Sequence, residues 1–243
     1  MNESIERTSN DPIELQRANW NSWNVCREET IRDQPSSLDQ QEWLAKWLEG
    51  RSGLKILDVG CGTGWTCKQL LNYGSVVGTD LADEILERAK ERVPDAKFVA
   101  GDFMELALDT DFDVIVCLEV LSHVADQQAF IEKLTTHLKP GGELLMATQN
   151  APVLRRVSWV EPAPPGWLRR WVDRKELRAL LDPHFDIEQL RTITPAGNVG
   201  VLRWINSRKI ESLMGLLIGS SRWKTAREAV GIGFTLMVRA EKR

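Results

Sequence analysis

A chain of 243 residues with 42% hydrophobic content suits one α/β domain with an insertion or cap, and it can bury a full core. Its four cysteines (Cys26, Cys61, Cys67, Cys117) form no C-x-x-C pair, and three histidines are too few for a zinc cluster; reduced thiols in a cytoplasmic protein are expected, with no metal site. No apolar run approaches the ~20 residues that span a bilayer and the start is polar, while the net charge of −4 conceals 17 Lys+Arg against 9 Asp+Glu in residues 151–243, a basic balance that suits a solvated surface, an anionic substrate or an anionic membrane surface.

Residues 1–12 are polar and are expected to lack fixed structure. Residues 13–31 read as a helix or two carrying Trp20 and Trp23. Pro35-Ser36-Ser37 caps a helix over 38–49, where Trp43 with Trp47 and Leu44 with Leu48 make an apolar stripe. An alternation follows: strand 54–59, helix 64–72, strand 75–79, helix 83–92, strand 97–100, a turn at 103–107, strand 112–118 and helix 126–137. Lys139-Pro140-Gly141-Gly142 ends that helix and strand 143–149 begins. Alternating strands and helices imply right-handed crossovers and a parallel sheet. A proline-rich loop at 161–166, helix 173–181 and strand 185–193 precede an insertion at 195–230 and a last strand over 233–240. Within the insertion Ile210, Leu213, Met214, Leu217 and Ile218 recur at helical spacing; a core face is the first reading, a mobile lid or a membrane-touching helix the others.

Strand 54–59 runs into Gly60-Cys61-Gly62-Thr63-Gly64, with Asp58 just before. Glycines allow the sharp turn and a close backbone approach to a ligand, and the following helix offers unpaired N–H groups. A dinucleotide fingerprint reads G-x-G-x-x-G. Here the third glycine arrives one residue early, and Asp58 stands where a pyrophosphate would be repelled, so the ligand is neutral or cationic at this end.

The run resembles the first motif of class I S-adenosylmethionine (SAM)-dependent methyltransferases. The resemblance continues in order through Gly78-Thr79-Asp80, Gly101-Asp102-Phe103, Asp113 to His123 and Leu138-Lys139-Pro140-Gly141-Gly142, covering roughly residues 40 to 150. It implies a Rossmann-like α/β fold: a seven-stranded, mostly parallel sheet with helices on both faces, a last strand antiparallel to its neighbours, and a helical cap. The domain division is 1–37 for an N-terminal cap segment, 38–194 for the SAM-binding core, 195–231 for an inserted cap or lid, and 232–243 for the final strand.

The resemblance also assigns the site. Gly60, Cys61, Gly62 and Gly64 pass beneath the methionine part of SAM, and Asp58 orders the loop and faces its amino end. Asp80, followed by Leu81, takes the ribose hydroxyls, as acids do in nucleotide sites. Asp102 accepts from the adenine amino group with Phe103 beside the ring. Glu119 orients a substrate, binds the sulfonium side or caps a helix. His123 is the candidate general base, since an ordinary pKa of ~6.5 suits proton removal near neutrality; a structural histidine is the alternative. Trp20, Trp23, Arg203 and Trp204 are expected to wall the acceptor, although ordinary core packing explains tryptophans equally well. There is no Asn-Pro-Pro-Tyr or Pro-Cys after the fourth strand, no paired-glutamate loop and no carboxylate cluster for a catechol-type magnesium site. The expectation is therefore O-methylation of a small, partly apolar or anionic acceptor. An RNA methyltransferase and a non-catalytic SAM-binding regulator are the alternatives; nucleic acid is the lesser expectation, peripheral membrane contact stays open, and the oligomeric state is not read.

Overall fold

The computed structural model describes residues 12–32, 34–158, 160 and 167–243, with backbone alone for 24–32. The expected N-terminal disorder, the Cys26 thiol, Trp159 and the proline-rich loop 161–166 lie outside the described residues. Two helices, α1 (Pro12–Arg32) and α2 (Pro35–Leu48), precede the alternation β1 (Leu54–Val59), α3 (Trp65–Leu70), β2 (Gly74–Asp80), α4 (Asp83–Arg92), β3 (Lys97–Ala100) and β4 (Phe112–Leu118). A 3-10 turn at Leu121–His123 leads into α5 (Gln127–His137) and β5 (Leu138–Gln149). Then come α6 (Ala151–Leu154), α7 (Arg174–Leu181), β6 (Phe185–Pro195), α8 (Val201–Ile205), α9 (Arg208–Ile218), α10 (Ser220–Ala229) and β7 (Gly233–Lys242). The strands form one seven-stranded sheet in the order β3-β2-β1-β4-β5-β7-β6. The first five are parallel, and β7 runs antiparallel between β5 and β6.

Alternate residues of the central strands enter opposite cores, as the two-residue period of a strand requires. Leu57, Val59, Ile115, Cys117, Leu144 and Met146 meet Phe130, Ile131 and Leu134 of α5 and Leu177 and Leu181 of α7. Ile56, Val114, Val116, Leu145 and Ala147 meet Leu44, Trp47 and Leu48 of α2, Leu70 of α3 and Leu86 and Ala89 of α4. A sheet buried on both faces reads as continuous apolar runs, which is why its strands were legible. Local caps set the helix starts. Asp126 accepts from Ala129 N–H at 3.0 Å to open α5, and Asp173 with Glu176 forms a reciprocal capping box on α7.

The insertion differs from its first reading. No residue of α9 is buried, so the Ile210, Leu213, Met214, Leu217, Ile218 stripe is not a core face. The reason is position. α10 and α2 already cover the outer strand β6, which leaves α9 only its neighbouring helices to rest on.

Candidate active site

Gly60, Gly62 and Gly64 turn the chain out of β1 with φ of +74°, +53° and +80°, the left-handed region that favours glycine. Gly60 is also sterically required. A Cβ there would lie 2.2 Å from Val120 Cγ2. The loop is tied to the end of β2 by Asp80, whose Oδ2 accepts from Gly62 N–H at 2.8 Å and whose Oδ1 accepts from Ala82 N–H at 2.9 Å. Burial pushes the Asp80 pKa up, and the N–H groups of Ala82, Gly62 and Leu81 oppose it. A carboxylate has about four lone-pair sites, and with Gly62, Ala82 and the Leu81 N–H acting on it Asp80 keeps capacity for a further donor such as a hydroxyl.

Asp58 lies behind this loop. It is 1% exposed and accepts from Cys67 Sγ at 3.2 Å. Burial pushes its pKa up to about 7; the Cys67 thiol pulls the other way and Asp80 adds to the rise. Cys67 feels the Cys61 thiol first, which lowers its pKa, yet burial and Asp58 carry it up to about 11.

A cavity of about 900 Å³ opens at the carboxyl ends of β1, β2 and β4, where open α/β sheets bind ligands. One half is lined by Gly60, Cys61, Gly62, Asp80, Leu81, Asp102 and Phe103. Asp102 Oδ1 accepts from Met104 N–H at 2.9 Å, which sets the side chain in a tight turn. The Phe103 ring is fixed edge-on to Phe130 with centroids 5.5 Å apart.

Glu119 stands between the two halves. Its φ is +62°, an uncommon conformation for a non-glycine residue. Its Oε1 accepts from Gln40 Nε2 at 2.6 Å and from Thr235 Oγ1 at 3.1 Å, while Oε2 is buried without a partner. Burial raises its pKa to about 7, against the lowering effect of Thr235 and Gln40.

The other half is aromatic. Trp20, Trp23, Trp167 and Trp171 line it together with His123. The Trp20 ring meets His123 edge-on at 4.7 Å and lies 4.6 Å from Trp167. His123 Nδ1 is 2.9 Å from the Leu168 carbonyl oxygen. A carbonyl only accepts, so Nδ1 carries the proton and Nε2 is the basic nitrogen. Burial lowers the His123 pKa, the Leu168 carbonyl raises it and Arg169 lowers it further, so the ring is neutral near pH 7. The loop bearing Trp167 and Trp171 is joined to the 121–127 segment. Arg170 N–H donates to Ser122 O at 2.8 Å, and Gln127 Nε2 donates to Leu121 O and Arg170 O at 2.9 Å each.

Ten of the expected site residues other than the aromatic wall come together on one cavity only in part: Asp58 and Gly64 sit behind the loop and do not line it, whereas Gly60, Cys61, Gly62, Asp80, Leu81, Asp102, Phe103 and Glu119 do. Of the wall, Trp20 and Trp23 line the cavity. Arg203 and Trp204 do not, and Trp204 is 75% exposed. The aromatic lining comes from α1 and the 167–171 segment, and no residue of the 195–231 insertion lines the cavity, since its helix α10 packs on β6 at the far edge of the sheet. Gln40, Gln127 and Thr235 escaped the sequence reading. They act through contacts 79, 43 and 116 residues away, and no local pattern marks such partners.

Residues 57–146 match a family model described as a methyltransferase domain. The chain is 36% identical over 115 residues to a ubiquinone biosynthesis O-methyltransferase of Idiomarina loihiensis, covering 44% of this chain and 47% of that one. It is 34% identical over 155 residues to the enzyme of that name from Rickettsia felis, covering 60% and 63%. The chain thus spans about half to three fifths of the length of these curated relatives. Its fold matches magnesium protoporphyrin IX methyltransferase from Synechocystis, solved with bound SAM, with a TM-score of 0.62, 16% identity and 100% of both chains covered. Residues 57–146 thus match the methyltransferase domain model, and the whole chain shares the fold of that solved SAM-bound methyltransferase.

Proposed function

We propose that the chain transfers a methyl group from SAM to an oxygen of a small, partly apolar acceptor. The observation that carries this reading is the single cavity with two unlike halves. Its acidic half suits SAM: Asp80 for the ribose hydroxyls, Asp102 with Phe103 for adenine, and the Gly60–Gly62 loop for the methionine part. The partnerless Oε2 of Glu119 suits a hydrogen-bond donor or a cationic group, since an orphaned buried acceptor costs free energy until a ligand pairs it. SAM, when bound, supplies an activated methyl group on a sulfonium.

The chain's own residues do the rest. An in-line displacement needs the acceptor oxygen held about 3–3.5 Å from the methyl carbon. The tryptophan wall positions the acceptor and excludes water. Neutral His123, fixed by Leu168, takes the hydroxyl proton at Nε2. The names of the relatives support an oxygen acceptor. The RNA reading loses ground because several cations of the basic half are spent on ion pairs: Arg227 with Glu211, Arg239 with Glu143, Lys224 with Asp39 and Arg243 with Asp186.

Methyl-labelled SAM incubated with the chain, a panel of phenols bearing aliphatic tails, and separately with RNA tests the proposal. A labelled methyl ether and equimolar S-adenosylhomocysteine are expected. Label confined to RNA, or binding of SAM with no transfer to any hydroxyl compound, would refute it.

A further inference from the structure

Outside the cavity, the 195–231 insertion presents bare apolar side chains to solvent. Leu216 is 86% exposed, Trp204 75%, Leu217 65% and Leu213 50%. Leu213, Leu216 and Leu217 share one face of α9 with Lys209, since residues three and four apart on a helix are neighbours. The opposite side of α9 holds Glu211, which pairs with Arg227 of α10 at 3.0 Å. The acids of this insertion are Glu211 and Glu228, and both are engaged. Glu228 lies 3.6 Å from Lys224 and accepts from Thr194 N–H. Arg203, Arg208, Lys209 and Arg222 are exposed and make no ion pair among the described residues. The exposed surface of the insertion therefore carries aliphatic and aromatic side chains and four cations that make no ion pair among the described residues.

We propose that α8 and α9 form a docking surface for an anionic lipid bilayer. Three occupants are chemically distinguishable. A second copy of this chain would bring the same unpaired cations against each other in an isologous contact, and like charges facing one another oppose association. A nucleic acid would satisfy the cations but leave Leu213, Leu216 and Leu217 against water or phosphate. An anionic bilayer satisfies both sets. Leucines and Trp204 enter the headgroup–acyl boundary, while Arg203, Arg208 and Lys209 meet the negative surface. The helix lies on the membrane and does not cross it; no helix among the described residues is long and apolar enough to span. This inference does not rest on methyl transfer. It would stand if the catalytic reading failed.

The test is flotation of the full chain with vesicles of phosphatidylcholine alone and of phosphatidylcholine mixed with phosphatidylglycerol. Binding to the anionic vesicles alone, weakened by added salt, is expected. Leu216→Asp with Leu217→Asp should cut partitioning by more than roughly tenfold, because each leucine that no longer enters the acyl boundary forfeits most of its burial. Arg208→Glu with Lys209→Glu should cut it by at least roughly fivefold per cation removed. All four positions are exposed, so circular dichroism and SAM binding should stay as in the parent chain. Equal flotation with neutral vesicles, no flotation at all, or flotation untouched by the double leucine variant would overturn the proposal. So would patch-dependent dimers in light scattering without vesicle binding, which would assign the face to a second copy.

Discussion

Gly60→Ala is the sharpest perturbation of the cofactor loop, because two separate costs can be worked out at that position. The φ of +74° charges any L-residue about 1–2 kcal/mol for left-handed backbone. The new Cβ also lands 2.2 Å from Val120 Cγ2, far inside contact distance, while Val120 Cβ stands at an ordinary 3.6 Å. Forcing such an overlap apart adds about 1–3 kcal/mol. Gly60→Ala should therefore destabilise by about 2–5 kcal/mol, or lower the melting temperature by several degrees at about 2–4 °C per kcal/mol for a chain of this size. Trimming the neighbour isolates the second cost. Val120→Ala removes Cγ2, so the double variant should regain about 1–3 kcal/mol relative to the sum of the singles and keep only the backbone cost. Urea melts of parent, both singles and the double measure the coupling, and calorimetry with SAM follows the loop itself. Strictly additive melts would show that the loop yields freely at Gly60 and that the contact with Val120 does not set its path.

The other predictions concern charge and protons. Asp80→Ala should weaken SAM binding by about 1–3 kcal/mol, since ribose donors and the Gly62 N–H lose their acceptor; unchanged calorimetric affinity would remove Asp80 from the site. His123→Ala should slow turnover by roughly 10²–10⁴-fold with little change in SAM affinity, and a variant with full rate would make the histidine structural. In the parent chain the rate should fall with acid only as pH drops through the His123 pKa, which burial holds below 6.5. Glu119 titrates near 7 in the fold against 4.5 for the free group, a raised value. Its contribution to stability is complete below 4.5 and is lost as pH rises through about 7. Glu119→Gln should therefore melt less steeply with rising pH across that window, Asp58 supplying the slope that remains; an identical pH profile would place the Glu119 titration elsewhere.

Much of this protein was readable from local chemistry. Strands 54–59, 97–100 and 112–118 and helix 83–92 coincide with their expected bounds: the central strands 54–59 and 112–118 because burial on two faces keeps them largely apolar, the helix because it alternates at its own period, and 97–100, a half-exposed edge strand, because it sits between that helix and the turn at Gly101. The glycine loop and Asp80 were equally plain, since left-handed backbone admits few residues and chain proximity carries the acid to the adjoining strand end. Tertiary structure decided what such patterns leave open. A helical stripe of Ile210, Leu213, Met214, Leu217 and Ile218 carries the same signal whether or not a sheet is left to receive it; with β6 already covered by α2 and α10, Leu213, Leu217 and Ile218 face water and Ile210 and Met214 are only half-buried. Tryptophans on either flank of the core look alike in the chain. Only the return of the 167–171 loop onto Ser122 and Gln127 puts Trp167 beside Trp20 and His123, while Trp204 stays outside. Asp58 was expected to order the loop and face the amino end of the ligand; the fold buries its carboxyl and pairs it with Cys67, a partner nine residues on that no spacing rule names. Residue type and spacing specify which elements form; which side chains share a cavity depends on contacts between residues tens to more than a hundred positions apart, and those exist only once the sheet has closed its order.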